Sequence, residues 1–422
     1  MLNLHSIIDS NYFDNKKVIV FIESINKIAD ENKNITYTMV FDFLIDQRSK
    51  SNFISRTNLI FREKSMLEVS NVTFQKYGAP KENSFYFLPE ELVTETEWIP
   101  VEDDAEYGAN YLAYTARYKS KPIKFSNAVT YHNFISSIDS ENNDSFSKIA
   151  VPFFKAIKPN KVEVKVFDVG QGNWNEINFD NQTLICYDFG SSSSRKLSDI
   201  IQNHVGPQVQ KMRINSILDE KKLNKILIIS HWDIDHYIGL KSLSDIQIKS
   251  FKFCIVPNRI ENETTARIVE KLKRNTIVIP IEMNSRIQGG SSSRLTLEYN
   301  SKVLKLFKGT KCRNRNKRGI LLSLHFKKQD FVFPGDHHYN QIDDYIMNLC
   351  TSKHYNLVIP HHGGYAGNYR LLNNIRNGSN GIISTGGRYG HPFRHIVNHV
   401  NNNFSNFRRT DCHGHHPAKC VN

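Results

Sequence analysis

Residues 225–236 read KILIISHWDIDH: a short apolar run, then four side chains of metal-binding type within six positions. The run Ile226–Ile229 suits a strand buried on both faces. His231, Asp233, Asp235 and His236 follow it, interleaved with Trp232 and Ile234. Carboxylates and imidazoles turned together repel or compete for protons unless a cation sits among them. Imidazole with carboxylate suits Zn²⁺ or Mn²⁺ better than Mg²⁺ or Ca²⁺. Such a loop demands a fold that holds a strand end rigidly beside other loops, as layered α/β domains do.

The surrounding sequence has that rhythm. Val162–Phe167 and Thr183–Tyr187 read as strands that end in Asp-Val-Gly and Asp-Phe-Gly. Ile320–Phe326 and Asp330–Phe333 read as further strands, and Leu197–Met212, Thr264–Lys273 and Asn340–Leu349 as helices. Residues 1–155 differ: Thr36–Ile45, Asn58–Arg62, Ser84–Leu88 and similar segments alternate apolar with polar, predicting a smaller, mainly β domain. A short helix is expected at Ser24–Ala29 and a polar linker at Ser137–Ser147. We therefore expect two domains, 1–155 and 156–422, the second an α/β domain that carries the chemistry. Six cysteines without a regular framework suggest reduced thiols and a cytoplasmic protein, with Cys186 and Cys254 in strand cores. No run approaches the ~20 apolar residues of a membrane helix, and no signal peptide is evident.

Six motifs in order give the second domain a family likeness. His231-x-Asp233-x-Asp235-His236 resembles the signature loop of the metallo-β-lactamase fold, in the variant with Asp for the second His that is typical of the ComEC-type branch. VFDVGQGN (Val166–Asn173) and ICYDFGSS (Ile185–Ser192) are similar to that branch's opening strands and turns. FVFPGD (Phe331–Asp336), LVIPHHGG (Leu357–Gly364), STGGRYGHP (Ser384–Pro392) and RTDCHG (Arg409–Gly414) are similar to its later ones. The resemblance spans about 161–414 and implies a four-layer αββα sandwich. It implies His231 and Asp233 at one metal position, Asp235 and His236 at another, Asp336 bridging and His362 as the final ligand, for one or two ions. His361 would ligate or orient a phosphate, and Asp168 would hold the loop from behind. Asp188 reads as a brace for the loop. Asp235 or Asp336 would hold the nucleophilic hydroxide, and His391 or His361 would protonate or stabilise the leaving oxygen. His325, the one histidine between His236 and Asp336, sits inside a regular strand and reads as structural.

Charge points to the substrate. The net charge of +13 divides unevenly: residues 1–160 hold 18 Lys and Arg against 21 Asp and Glu, residues 161–422 hold 37 against 21. A coding bias toward lysine would act on both parts, so the asymmetry argues for a polyanionic ligand of the second. Lys302–Lys328 has ten basic residues and no acid; Lys311, Arg313, Arg315, Lys317 and Arg318 form its densest part. With Arg388 and Tyr389 they are the expected contacts to phosphate and base. The expected function is a metal-dependent phosphodiester hydrolase, a nuclease acting on DNA ahead of RNA, in DNA processing or defence against foreign DNA. Two alternatives stand beside it: hydrolysis of a small phosphodiester, and a non-catalytic scaffold whose first domain is the working part. The acidic run Glu90–Glu106 of that domain is a candidate surface for a protein partner.

Overall fold

A computed structural model of the chain describes residues 19–29, 34–43, 66–75, 78–81, 84–100, 112–118, 121–127, 138, 145–167, 169, 172–190, 223–260, 262–283, 295–310, 315–348, 352, 354–370, 377–385, 391–410 and 418–421. The expected strand Asn58–Arg62 and helix Leu197–Met212 lie outside these residues. The chain divides into two compact units, Met1–Ser137 with Arg259–Glu270, and Ile138–Asn258 with Lys271–Asn422. The sequence places the boundary at 155/156. The structure has it at 137/138, because Ala150, Phe154 and Ile157 are buried in the core of the second unit.

In the first unit, β1 (Ile19–Ala29), β2 (Ile35–Phe43), β3 (Met66–Val72), β4 (Ser84–Phe87), β5 (Trp98–Pro100), β6 (Leu112–Arg117) and β7 (Ser126–Asn127) form one sheet in the order β5-β6-β3-β2-β1-β4-β7. The helix expected at Ser24–Ala29 is instead the second half of β1. Past a bulge at Ile22/Ser24 it pairs residue by residue with β2, ending at Ala29 opposite Ile35. A hairpin ladder that pairs each of these residues with β2 outweighs weak local helix propensity. Val20, Ile22, Met39, Phe41, Leu67 and Val69 line one buried face, closed by Leu92 of the helix Glu90–Thr94 and by Trp98. Residues 259–270 join this unit through polar contacts: Asn262 donates to Glu23, and the Thr264 amide donates to buried Asp42 at 2.9 Å.

The second unit stacks two seven-stranded sheets. One holds β8 (Val162–Phe167), β9 (Asn175–Phe179), β10 (Thr183–Tyr187), β11 (Asn224–Ile228), β12 (Phe251–Pro257), β13 (Ile277–Ile281) and, at its far edge, β21 (Ala418–Val421), ordered β13-β12-β11-β10-β9-β8-β21. The other runs in chain order from β14 (Thr296–Asn300) through β15 (Leu304–Lys308), β16 (Ile320–Phe326), β17 (Gln329–Phe333), β18 (His354–Val358) and β19 (Asn380–Ile383) to β20 (Asn406–Arg409). Alternation sorts the side chains. Ile177, Ile185, Ile226, Ile228 and Phe253 of the first sheet are buried against Leu304, Leu306, Leu322, Leu324 and Phe331 of the second. On the outer face of the second sheet, Leu321, Val332 and Leu357 meet Tyr339 and Ile342 of the helix Tyr339–Asn348, and Ile396 and Val400 of the helix Arg394–Asn403. Strands β11, β12 and β13 are parallel, and their crossovers carry the helices Asp245–Lys249 and Glu263–Asn275. This is the layered αββα sandwich expected from the sequence. The side chains of Cys186 and Cys254 are buried in β10 and β12, as expected. No helix among the described residues is long and apolar enough to cross a membrane.

The parallel strands fix where the chemistry lies. β10 and β11 run together in one sheet, and β17, β18 and β19 in the other. Asp188, Ser230, Asp336, His361 and Ser384 all follow their C-terminal ends. The two rims are tied by the Ile320 amide donating to Ser230 O at 2.8 Å and the Tyr187 hydroxyl donating to Ile320 O at 2.7 Å.

Candidate metal centre

Asp188 is the fully buried hub of the loops, with a left-handed backbone at φ 60°. Its carboxylate accepts from the Ser230 amide at 2.6 Å, Ser230 Oγ at 2.9 Å, Asn173 Nδ2 at 2.8 Å and His236 Nδ1 at 2.8 Å. A carboxylate only accepts, so the His236 proton sits on Nδ1 and the Nε2 lone pair faces the opposite way. The same logic orients three more rings. Nδ1 of His231 donates to Ser230 Oγ at 2.9 Å, since that hydroxyl donates onward to Asp188. Nδ1 of His362 donates to Ser384 O, and Nδ1 of His361 to Tyr365 O, both at 2.7 Å. His361 and His362 both hold left-handed φ values of 52°, a conformation that costs of order 1–3 kcal/mol per non-glycine residue and persists where function imposes it.

The four Nε2 atoms converge on two carboxylates. His236 Nε2 lies 3.1 Å from Asp336 Oδ1, and His231 and His361 Nε2 each lie 3.6 Å from Asp336 Oδ2. His362 Nε2 lies 3.1 Å from Asp235 Oδ2. His231, His236 and Asp336 form one trio of donor atoms within 4.8 Å, and Asp235, His236 and His362 form a second. The Nε2 atoms of His231, His236 and His362 and Asp336 Oδ1 are buried and make no aligned hydrogen bond. Lone pairs that crowd a common point without bonding one another are the donor set of a divalent cation, and the nitrogen–oxygen mixture fits Zn²⁺ or Mn²⁺.

Electrostatics agree. Burial pushes the His231 ring down, but Asp233 and Asp336 outweigh it and raise its pKa to about 9. Burial likewise opposes the charged forms of His236 and His362, yet the surrounding carboxylates hold both above the ordinary histidine value. Burial would raise Asp336, but His236, His361 and His231 hold it well below the usual range. The carboxylates thus demand positive charge, which protons meet when no metal ion does.

Several expected residues sit elsewhere. Asp233 belongs to neither trio: its Oδ2 lies 3.4 Å from His231 Nε2, but its Oδ1 accepts from Arg315 Nη1 at 3.0 Å. Arg315 is 1% exposed and Arg318 is buried too, so neither extends into solvent as a phosphate-binding loop requires. Residues 315–318 tuck inward because the short turn Arg315–Lys317 leads straight into β16 at the rim. Asp168, Lys311, Arg313, Arg388 and Tyr389 lie outside the described residues. His325 is structural in its bonding, at 2.9 Å from Asp330 across the β16–β17 hairpin. Asn173 and Ser230 are the residues that sequence reasoning passes over. Both adjoin recognised motifs, but an amide or hydroxyl beside a charged cluster carries no signature of its own.

His391 packs against His361, ring centroids 5.0 Å apart. Burial, with the charges of His361 and His362, lowers its pKa to about 3, so the ring is neutral near pH 7. A neutral imidazole offers a hydrogen bond to a developing oxyanion. Gly364 makes room for it: a Cβ there would stand 2.3 Å from His391 Cε1, while the local φ of −83° suits any residue. Gly364→Ala should therefore displace the His391 ring with Tm within about 3 °C of wild type. Turnover should fall roughly 10–100-fold, as misplacement of a reacting group by ~1 Å does. Turnover at the wild-type level would show that the position of His391 is immaterial.

No protein-family model matches this chain, and no curated protein does. Solved structures of similar fold include the metallo-β-lactamase fold protein YhfI from Bacillus subtilis, at 11% identity and TM-score 0.33 over 61% of this chain and 100% of that one. Zn²⁺-bound PqqB from Methylobacterium extorquens matches at 8% identity and TM-score 0.35, over 61% and 99%. Short-form human tRNase Z matches at 12% identity and TM-score 0.28, over 46% and 77%. At such values the likeness is one of fold and says nothing of substrate.

Proposed function

We propose that the second unit is a divalent-metal-dependent phosphodiester hydrolase of the ComEC-type branch, a cytoplasmic nuclease acting on DNA ahead of RNA, in DNA processing or defence. The observation that carries this reading is the convergence of buried, unbonded Nε2 and carboxylate atoms at the rim of a strongly basic unit. A bound Zn²⁺ or Mn²⁺ supplies Lewis acidity toward a phosphoryl oxygen and acidifies water. The chain's own groups do the rest. His231, His236, His362, Asp235 and Asp336 hold the cation, and Asp188 fixes the tautomer that lets His236 do so. Asp235 or Asp336 accepts a proton from the attacking water. His361, whose Nε2 faces Asp336, orients the phosphate, and neutral His391 stabilises the leaving oxygen. The intact donor set speaks against a scaffold that has lost its chemistry.

The test is incubation of the full chain with labelled linear and circular DNA, with RNA and with bis-p-nitrophenyl phosphate, after chelation and after return of Mn²⁺ or Zn²⁺. Metal-dependent cleavage of polynucleotide is expected; no cleavage of any substrate under any metal would overturn the reading. Burial of Arg315 and Arg318 favours the second reading, a small phosphodiester substrate, since it removes two of five charges from the loop. The remaining three basic residues decide between them. Neutralising Lys311, Arg313 and Lys317 together should weaken DNA binding and lower the log–log salt slope by roughly 0.7–0.9 per lost contact. Unchanged affinity at low salt would move the assignment to the small substrate.

The exposed acids Glu90, Glu91, Glu95 and Glu97 are proposed as a partner surface of the first unit. Their test keeps the full chain, because a fragment from residue 156 strips residues 259–270 of Glu23 and Asp42. Replacing the four by glutamine should abolish capture of a cationic partner peptide that the wild type retains at low salt. Equal capture by both chains would count against the surface.

A further inference from the structure

We infer that Arg315 is a built-in cation that engages Asp233 in place of a second metal ion, so that the centre takes one divalent ion per chain. This rests on the metal-centre reading above and adds its stoichiometry and the residue that sets it. The two donor trios are not independent, because His236 belongs to both. Its Nδ1 is committed to Asp188, and the one lone pair on Nε2 serves one cation at a time. The first trio would need Asp233 to stand without His236. Asp233 Oδ2 is 3.4 Å from His231 Nε2, near enough for that, but Oδ1 is held by the Arg315 guanidinium at 3.0 Å.

A guanidinium keeps its charge at any accessible pH and bonds carboxylates through a rigid fork, so it is a permanent occupant rather than a proton store. Arg315 is buried to 1% exposure, among the largest fully buried side chains of the described residues. Burying such a group is costly unless opposite charge faces it, and here Asp233 does. Charge balance gives the same answer. Asp233, Asp235 and Asp336 face the centre, while Asp188 is saturated by its own donors behind them. One guanidinium and one divalent ion neutralise those three carboxylates; a second divalent ion would leave uncompensated positive charge in a buried site.

The experiment counts metal in the full-length protein. The chain is stripped with chelator, reloaded with excess Mn²⁺ or Zn²⁺, desalted and analysed by mass spectrometry for metal per chain. The Mn²⁺ form is also examined by electron paramagnetic resonance. Wild type should retain one ion with no spin-coupled pair. Arg315→Met should retain two, because Asp233 is released to ligate beside His231, and Arg315→Lys should stay at one. Asp233→Asn, with Arg315 intact, should bind its ion within about threefold of wild type, since Asp233 is not a ligand. Two tightly held, coupled ions in wild type would overturn the inference and leave the metal centre standing. So would a folded Arg315→Met chain with a single ion, or, should that variant not fold, a tenfold or greater loss of affinity in Asp233→Asn. No retained metal in wild type would overturn the metal-centre reading itself.

Discussion

His236→Ala is expected to remove metal-dependent hydrolysis, by about 10³-fold or more, with the fold retained. The magnitude starts from the ~10²–10³ lost with one oriented electrostatic group. It is larger here because this ring contributes to both donor trios. Asp235→Ala should follow closely, as it empties the second trio while His231, His236 and Asp336 persist. The folded state should survive both, since the sheets are held by apolar contacts such as Ile226, Ile228 and Leu322 rather than by the rim. The alanine chain will still lose some thermal stability, because Asp235 and Asp336 then face each other with one cationic ring fewer. His325→Ala is the control, with its partner Asp330 on a strand and outside both trios. The check is turnover at saturating metal together with bound metal and circular dichroism. Near-normal turnover of a folded His236→Ala chain would remove the centre from the mechanism.

How far the sequence alone reaches is clearest at Asp235 and Arg315. Asp235 was legible because four ligand-type groups in six positions admit few physical arrangements, and the strand before them fixes where they emerge. Arg315 was not. In a run of ten basic residues, a buried arginine and a solvated one look identical, and its partner Asp233 lies 82 residues away. Period-two alternation exposed the sheets for the same local reason, since a strand's buried face is written in its own residues. Residues 259–270 show the opposite case. Their place in the first unit is set by Asp42 and Glu23, more than 200 positions earlier, through two polar contacts that leave no pattern in the sequence.

Asp188→Asn should separate geometry from ligation, because it changes one atom behind the donor set and none within it. The new amide can keep its oxygen toward the Ser230 amide, where Asp188 Oδ1 now accepts at 2.6 Å. Its NH₂ then meets three groups that had donated to Oδ2. The Ser230 hydroxyl can rotate to accept. The Asn173 amide cannot without flipping, and a flip would turn its NH₂ onto the Asn175 NH₂ that now donates to its oxygen at 2.8 Å. His236 must then offer a lone pair at Nδ1, which moves its proton to Nε2 and aims it at Asp336 Oδ1, 3.1 Å away. A ring protonated on that face ligates only after losing the proton. Metal affinity should fall roughly 10–100-fold, the usual effect of removing a partner that orients a metal-binding histidine. Stability should fall by about 2–3 kcal/mol, from the buried donors left without an acceptor. The proton's position can be read directly from the ¹⁵N shifts of the His236 ring, and the affinity by metal titration of the same sample. Weakened binding with the proton still on Nδ1 would assign the loss to displaced loops. Binding at wild-type strength would mean that the His236 tautomer is set by something other than Asp188.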